Sequence, residues 1–589
     1  MLYQAPLRDM QFILEHLVGF DAITALPGCA EVTPDLAAAV LDEAARFATG
    51  VLAPLDRPGD RQGCRLEGGQ VRTPGGWQDA WRQFAAGGWL GLGMATEHGG
   101  QGLPKILATP VSEMWSSANL SFSLLPPLNA SASEALRLAA DERLKAMYLP
   151  QLASGEWAGT MCLTESQAGS DLGAIRTRAV AHADGSYRLF GQKIFITYGD
   201  HELTSNIVHL VLARTPDAPP GVKGISMFVV PKFLVGADGS LGARNDVQCV
   251  AIEHKLGLHG SPTCVMSFGE AGGAVGYLVG EVGRGLEYMF VMMNEMRFGS
   301  GLQGPALAER AYQQAVAFAR ERVQGRGRAG APVPIIQHAD VKRMLLTMRA
   351  KLMAARTLSY VAAGWFDIAA RHEDDVVAGK HRRLVDLLMP VLKGWNTEVG
   401  NEVCELAVQI HGGAGFVEET GIAQHYRDAR ITTIYEGTTG IQAGDLVGRK
   451  ILREGGATLT MLVAELRTAS AELATAGLAA MSTRFAAAIN DVEATLRWIL
   501  ECGNERLAEV QAGSVPVLRQ LGLVCGAWQL GRAALAAHRL GGVGDGAYHR
   551  GMVGLAEFYF AHLLPQASAW AAAASAGAAP CIEFPEELL

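Results

Sequence analysis

Residues 434–442 read Ile434-Tyr435-Glu436-Gly437-Thr438-Thr439-Gly440-Ile441-Gln442. A carboxylate between an apolar dipeptide and Gly-Thr-Thr-Gly makes poor core material. It reads as a base positioned at a loop-to-helix junction. Gly437 lets backbone approach a ligand closely. Thr438 or Thr439 can cap a helix continuing through 441–447. A base beside free helix N-terminal amides can remove a proton next to a carbonyl while those amides hold the developing oxyanion. The bland competitor is a solvated glutamate in a turn.

Two earlier segments carry polar chemistry. Met161-Cys162-Leu163-Thr164-Glu165-Ser166-Gln167-Ala168-Gly169-Ser170-Asp171 supplies hydroxyls and free amides suited to a polar cofactor edge or a phosphate. The competing reading is an ordinary Ser/Gly turn. In Gly191-Gln192-Lys193-Ile194-Phe195-Ile196-Thr197, an aromatic and a threonine two residues apart lie on one strand face. That pair can stack on a ring and hydrogen-bond a ring nitrogen; the alternative is a strand with one buried Phe. Other signals carry less. Gly325-Arg326-Gly327-Arg328-Ala329-Gly330 fits the dinucleotide pattern but follows a helix and runs into Pro332 and Pro334, so it reads as a basic interhelical loop. His201, His209, His254 and His259 lack carboxylates at metal-ligand spacing and read as solvated or structural, so no metal site is expected.

These segments need elements to hold them. At 589 residues the chain exceeds one compact core, and two to four domains are expected. Residues 1–157 read as helical, with helical spacing over 36–47 and 133–149. Residues 158–280 carry β-rich runs bounded by Gly, Pro and Asp and form a small β-barrel-like domain. Residues 281–450 return to helical spacing and form a four-helix bundle domain. Met344, Leu345, Met348, Leu352 and Ala355 share one face there as core, and Pro390 should kink or restart a helix. Residues 451–589 read as an additional helical domain with no catalytic cluster. The fold class is therefore multidomain α+β, in the order α, β, α, α. The clefts beside the β domain suit a cofactor.

Composition narrows the function. The chain is 49% hydrophobic and 19% charged, as folded chains are. A net charge of −9 argues against a general nucleic-acid binder. Nine cysteines without a Cys-x-x-Cys pair suggest reduced thiols and a cytoplasmic protein. Residues 1–20 contain Arg8, Asp9 and Glu15 and no continuous apolar run, so no signal peptide is expected. The weakly apolar stretch 567–579 falls short of the roughly 20 residues a transmembrane segment needs.

Taken in order, the three chemical segments resemble the flavin-dependent acyl-CoA dehydrogenase family. The likeness extends through Asn294-Glu295-Met296-Arg297, then Ala319-Arg320-Glu321-Arg322, then Gln337-His338, then Gln409-Ile410-His411-Gly412-Gly413-Ala414-Gly415-Phe416. It covers residues 30–450. The extra C-terminal domain and the opening Tyr3-Gln4-Ala5-Pro6-Leu7 resemble the long branch that includes 3-methylthiopropanoyl-CoA dehydrogenase-like proteins.

The resemblance implies FAD-dependent α,β-desaturation of a fatty or related acyl-CoA to the trans-2-enoyl-CoA, as in β-oxidation, with electrons passed to an electron-transfer flavoprotein. It makes Glu436 the base for the α-proton, with its own amide on the thioester oxygen. Flavin contacts then fall on Met161, Leu163, Thr164, Gly169, Ser170, Phe195, Ile196, Thr197, Gln337, His338, Thr438, Thr439 and Gly440. Phe195 stands where relatives often have Trp, and Gly440 where many have Gln. Ser170, Asn294, Arg297 and Gly437 fall to the substrate. Arg322, Gln409, Gly412 and Gly413 contact a neighbouring subunit's flavin nucleotide, which implies a homo-oligomer, at least a dimer. Some relatives carry the base just before the substrate arginine; here that residue is Met296, and Glu295 is one place off. The acyl tail belongs near 94–97 and 122–131, shaped by Leu124, Leu125, Pro126 and Pro127. An acyl-CoA oxidase shares base and flavin. A DNA-associated flavoprotein of this fold needs a basic C-terminal region, and 451–589 holds nine arginines against thirteen acidic residues.

Overall fold

A computed structural model describes residues 3–589. The order α, β, α, α holds along the chain. In the first region the helix Pro34–Phe47 starts where the Thr33 side chain accepts from the Leu36 N–H and proline takes the first position. The helix expected over 133–149 is instead two, Leu125–Ala139 and Glu142–Ser154. Asp141 accepts from the Leu144 N–H at 2.8 Å and caps the second. A cap overrode the continuous periodicity.

The central sheet has eight strands. Its path runs Val247–Ile252, Thr263–Phe268, Tyr187–Thr197, Ala274–Val279, Ile225–Pro231, Asn206–Arg214, Trp157–Cys162, and Arg178–Ala181 branches from it. Asn206–Arg214 alternates between two cores. Val208, Leu210 and Leu212 pack with Leu136, Leu144 and Leu149 of the first region, while Val211 and Ala213 face Leu189, Ile196 and Met266 inside the sheet's curve. Covering on both faces explains why that strand reads apolar over 207–208 and 210–213.

Three long helices follow: Gly285–Glu321, Ala339–Arg371 and Asp375–His411. The expected methionine face is core, with Met344, Met348 and Leu352 buried. Pro390 does not restart its helix, which runs unbroken for 37 residues. Leu388, Val391 and Leu392 around it are buried, and that packing offsets a proline cost of about 3 kcal/mol. The first and third long helices cross closely because glycines remove side chains there. A β-carbon on Gly304 would lie 2.0 Å from the Asn396 carbonyl oxygen, and one on Gly301 2.6 Å from that of Leu392. This crossing sets the distance between Arg297 and Lys393. The loop at 325–330 is a small hairpin, Val323–Arg326 with Pro332–Pro334.

The C-terminal helices include Ala457–Thr475, Ala479–Cys502, Ser514–Leu540 and Gly546–Phe558. Ser514–Leu540 lies against the third long helix, with Leu518 on Gly394 and Gly522 against Trp395. Among the described residues no helix is long and apolar enough to cross a membrane.

Candidate active site

The helix Ile422–Arg430 and a short turn, Ile431–Thr433, deliver the chain to Glu436. The Tyr435 hydroxyl donates to Gln303 Oε1 on the first long helix. Glu436 then takes φ 56° and Gly437 φ 92°. A left-handed non-glycine residue costs on the order of 1–3 kcal/mol, so its surroundings must enforce it. Three bonds do so. Gln442 Nε2 donates to the Glu436 carbonyl at 3.0 Å, and Lys393 Nζ donates to the Gly437 carbonyl at 2.6 Å. Thr438 Oγ1 accepts from the Ile441 N–H at 3.3 Å, making Thr438 the cap of the helix Thr439–Asp445. Thr439 instead donates to Glu398 Oε1 at 2.8 Å.

Glu436 is half-buried, and burial pushes its carboxyl up to about 7 while Arg297 and Lys393 pull back. Burial draws Lys393 down to about 8. Burial also lowers Arg297, against the field of Asp445 and Glu436. The Arg297 Nε is buried without a partner among the described residues. A carboxyl poised near neutrality between two cations suits a general base. Glu295 stands apart from this group. It pairs with Lys105 at 2.5 Å, and Met296 is buried.

The loop carrying Thr164 and Ser170 is held by a residue pair that the sequence reading passed over. Lys193 Nζ donates to Glu165 Oε1 at 2.8 Å and to the Leu163 carbonyl at 2.9 Å. Glu165 also accepts from the Arg176 N–H, the Thr177 N–H and the Thr177 hydroxyl. Burial resists ionisation, yet Lys193 and these bonds hold Glu165 down at about 2. The two charges were visible in the sequence; their partnership was not. Gly169 and Ser170 are exposed at the loop tip, and Met161, Leu163 and Thr164 are half-buried.

Phe195 corrects an expectation. Its φ is 59°, and the ladder to Thr263–Phe268 shifts register beside it, so Phe195 and Thr197 do not share a face by simple alternation. The ring is nevertheless 60% exposed, which removes the buried-Phe alternative. The Ile196 side chain is buried, leaving only its backbone for a ligand. Thr197 pairs with Thr263. Nearby, the Leu258 N–H donates to Asp428 Oδ1 at 2.6 Å, which docks this edge on the helix leading to Glu436.

A second set lies elsewhere. Arg322 ends the first long helix, 25 residues beyond Arg297, about 37 Å at 1.5 Å per residue. Arg322, Gln409, Gly412 and Gly413 are exposed there, as is Phe416. Phe318 stacks on His411 at 4.3 Å and joins the two helix ends. Gln337 and His338 adjoin them, with His338 Nε2 2.7 Å from the Gln324 carbonyl oxygen. The fold does not bring this set to Glu436. Asn294 is exposed on the first long helix, and Gly440 is exposed at the start of its helix.

A cavity of about 450 Å³ is lined by Met94, Ala95, Leu124, Pro126, Pro127 and Ala130 from the first region, with Met296, Phe298 and Gln303 opposite. Leu125 does not line it. Gln303 links its wall to Tyr435.

The sequence matches four family descriptions. They are "Acyl-CoA dehydrogenase, N-terminal domain" over residues 35–156, "Acyl-CoA dehydrogenase, middle domain" over 160–271, "Acyl-CoA dehydrogenase, C-terminal domain" over 283–452, and "Acetyl-CoA dehydrogenase C-terminal like" over 462–585. It is 47% identical over 575 residues to a 3-methylmercaptopropionyl-CoA dehydrogenase of Ruegeria pomeroyi, covering 97% of both chains. It is 34% identical over 615 residues to a butyryl-CoA dehydrogenase of Syntrophomonas wolfei, covering 100% of this chain and 98% of that one. Its fold is similar to that of an acyl-CoA dehydrogenase from Bacillus anthracis complexed with FAD, with a TM-score of 0.73 at 22% identity over 98% of this chain and 93% of the other. The chain belongs to the acyl-CoA dehydrogenase family and is an enzyme of that class.

Proposed function

We propose that this enzyme desaturates an acyl-CoA thioester between its α and β carbons, with Glu436 as the base. The observation that carries the proposal is the Glu436 carboxyl, half-buried, held in a left-handed turn and drawn to about 7 beside Arg297 and Lys393. Glu436 accepts the α-proton. Its own N–H, which has no acceptor among the described residues, is the donor for the thioester oxygen. Arg297, with its unpaired Nε, and Asn294, Ser170 and Gly437 orient the substrate. The acyl tail enters the cavity beside Gln303.

The cofactor is FAD. Bound FAD supplies the acceptor for the β-hydrogen, which departs as hydride. The exposed Phe195 ring and the Thr164 and Thr197 hydroxyls fit a flavin edge, and Thr438, Thr439 and Gly440 a phosphate. Arg322, Gln409, Gly412 and Gly413 are too far along the helices to serve the same flavin. They therefore serve a neighbouring subunit's, and the enzyme is a dimer at least. The domain divisions near 157, 280 and 450, and a cytoplasmic setting for nine unpaired thiols, belong to the same reading.

The test is anaerobic. An acyl-CoA substrate should bleach the flavin, and an electron-transfer flavoprotein should then reoxidise it faster than oxygen does. Faster reoxidation by oxygen makes the enzyme an oxidase. A panel of acyl-CoAs from short to long, with 3-methylthiopropanoyl-CoA among them, assigns the chain length. No bleaching by any of them overturns the proposal.

A further inference from the structure

Lys393 takes no part in the chemistry above, yet it sits at its centre. It lies midway along Asp375–His411 and is wholly buried. A buried ammonium is expensive, and an apolar side chain would pack there at less cost. Its bond goes to a backbone carbonyl, that of Gly437, at 2.6 Å. That carbonyl belongs to the second of two successive residues with positive φ. The carbonyl before it is held by Gln442. Both peptide planes around Gly437 are thus tied down, and with them the backbone on the C-terminal side of Glu436. A neutral donor does this at Gln442, so pinning alone does not explain a charge at 393.

The charge acts on Glu436. The groups that interact with that carboxyl are Arg297 from Gly285–Glu321, Lys393 from Asp375–His411 and Tyr435 in its own loop, while Glu398 acts on Lys393 and Asp445, from Thr439–Asp445, on Arg297. Arg449 pairs with Asp445 at 2.8 Å, and Arg519 of the C-terminal helices lies 3.7 Å from Glu398. Of the two cations that favour ionised Glu436, Arg297 keeps an unpaired Nε for a ligand. Lys393 is fixed by its backbone bond.

We propose that Lys393 is a positioning residue for the catalytic base, its ammonium locking the Glu436–Gly437 turn and holding Glu436 in its proton-accepting form. The inference rests on the assignment of Glu436 above.

The test follows the rate of substrate-driven flavin bleaching against pH in three FAD-loaded variants. Lys393→Met should raise the midpoint by about one pH unit and lower the plateau about tenfold to a hundredfold. Lys393→Gln keeps a donor without the charge, so it should recover most of the plateau while the midpoint stays high. A merely structural lysine would not divide the two effects between the variants. A folded Lys393→Met with the wild-type midpoint and plateau overturns the inference, and so does a Gln variant no better than Met. Glu436→Gln is the control: if it still bleaches, the base assignment has failed, whatever Lys393 does. If neither lysine variant retains FAD, Lys393→Arg decides. It keeps both the charge and a donor, so its midpoint should stay at the wild-type value, and a midpoint about one pH unit higher overturns the inference.

Discussion

Arg356, on the second long helix, and Lys393, on the third, are both wholly buried cations. Arg356 meets Glu113 at 2.5 and 2.8 Å and Glu309 at 2.6 Å, and Tyr360 donates to Glu113 at 2.8 Å. Beside them Arg349 bonds Asp9 at 2.5 Å, and Tyr548 donates to Asp9 at 2.9 Å. That cluster joins the N-terminal helices, the long helices and the C-terminal region. Each of its cations meets a carboxylate at bonding distance. Around Glu436, among the described residues, no cation and carboxylate form an ion pair at such range except Arg449 with Asp445. Lys393 bonds a carbonyl, Arg297 leaves Nε unpaired, and the carboxyl sits near neutrality. A saturated cluster fastens domains together. An unsaturated one keeps its capacity for a ligand and a proton.

The sharpest break in this contrast is Glu436→Gln. The amide fits the space but accepts no proton, so bleaching should slow by about 10⁴, the upper end for loss of a general base. FAD content, and the spectral perturbation on binding an enoyl-CoA, should stay near wild type. Bleaching at close to the wild-type rate would place the base elsewhere and make Glu295 the next residue to test.

Arg356→Met is the counterpart in the saturated cluster. It strands Glu113 and Glu309 and should cost about 3–5 kcal/mol in denaturant unfolding. The bleaching rate per bound FAD, and its pH midpoint, should not move. A shifted midpoint would mean the two clusters are coupled.

Arg322 belongs to neither cluster, being exposed at a helix end. Arg322→Ala should lose a charge-assisted bond worth about 1.5–3 kcal/mol, seen as FAD loss on dilution and as weaker assembly in sedimentation. Full flavin content and assembly at low protein concentration would remove the cross-subunit role.

The smallest effect is the pH dependence of the wild type. Burial raises the Glu436 carboxyl, so the ionised base accumulates as pH rises through about 7. Below that midpoint the bleaching rate should fall by about tenfold per pH unit, as expected for a single ionisation. A rate level down to the ordinary carboxylate range would show that the turn does not shift its base.

Much of the site was legible because its signals are local. Glu436, the glycine after it and the Thr438 cap lie within six residues, and cap geometry and backbone freedom are properties of neighbours. The order of helical and β regions was legible for the same reason, since periodicity is read in short windows. Where local rules competed, they misled. Asp141 split a helix that periodicity joined, and buried neighbours carried a helix through Pro390 without the restart that proline chemistry allowed. Phe195 left strand alternation through a positive φ that no pattern of apolar residues announces.

The sequence by itself singled out the carboxylate proposed as the base, the loop-to-helix turn it stands on, and the family whose ordered motifs surround it. Only the tertiary structure decided the charges that act on that base. Lys393 lies 44 residues from the carbonyl it holds, Lys193 lies 28 from Glu165, and Arg356 lies 243 from Glu113. No period links residues at such separations. Burial, the largest influence on Glu436, is a property of packed helices rather than of any segment. A sequence names the groups that can ionise, and the fold sets where each one does.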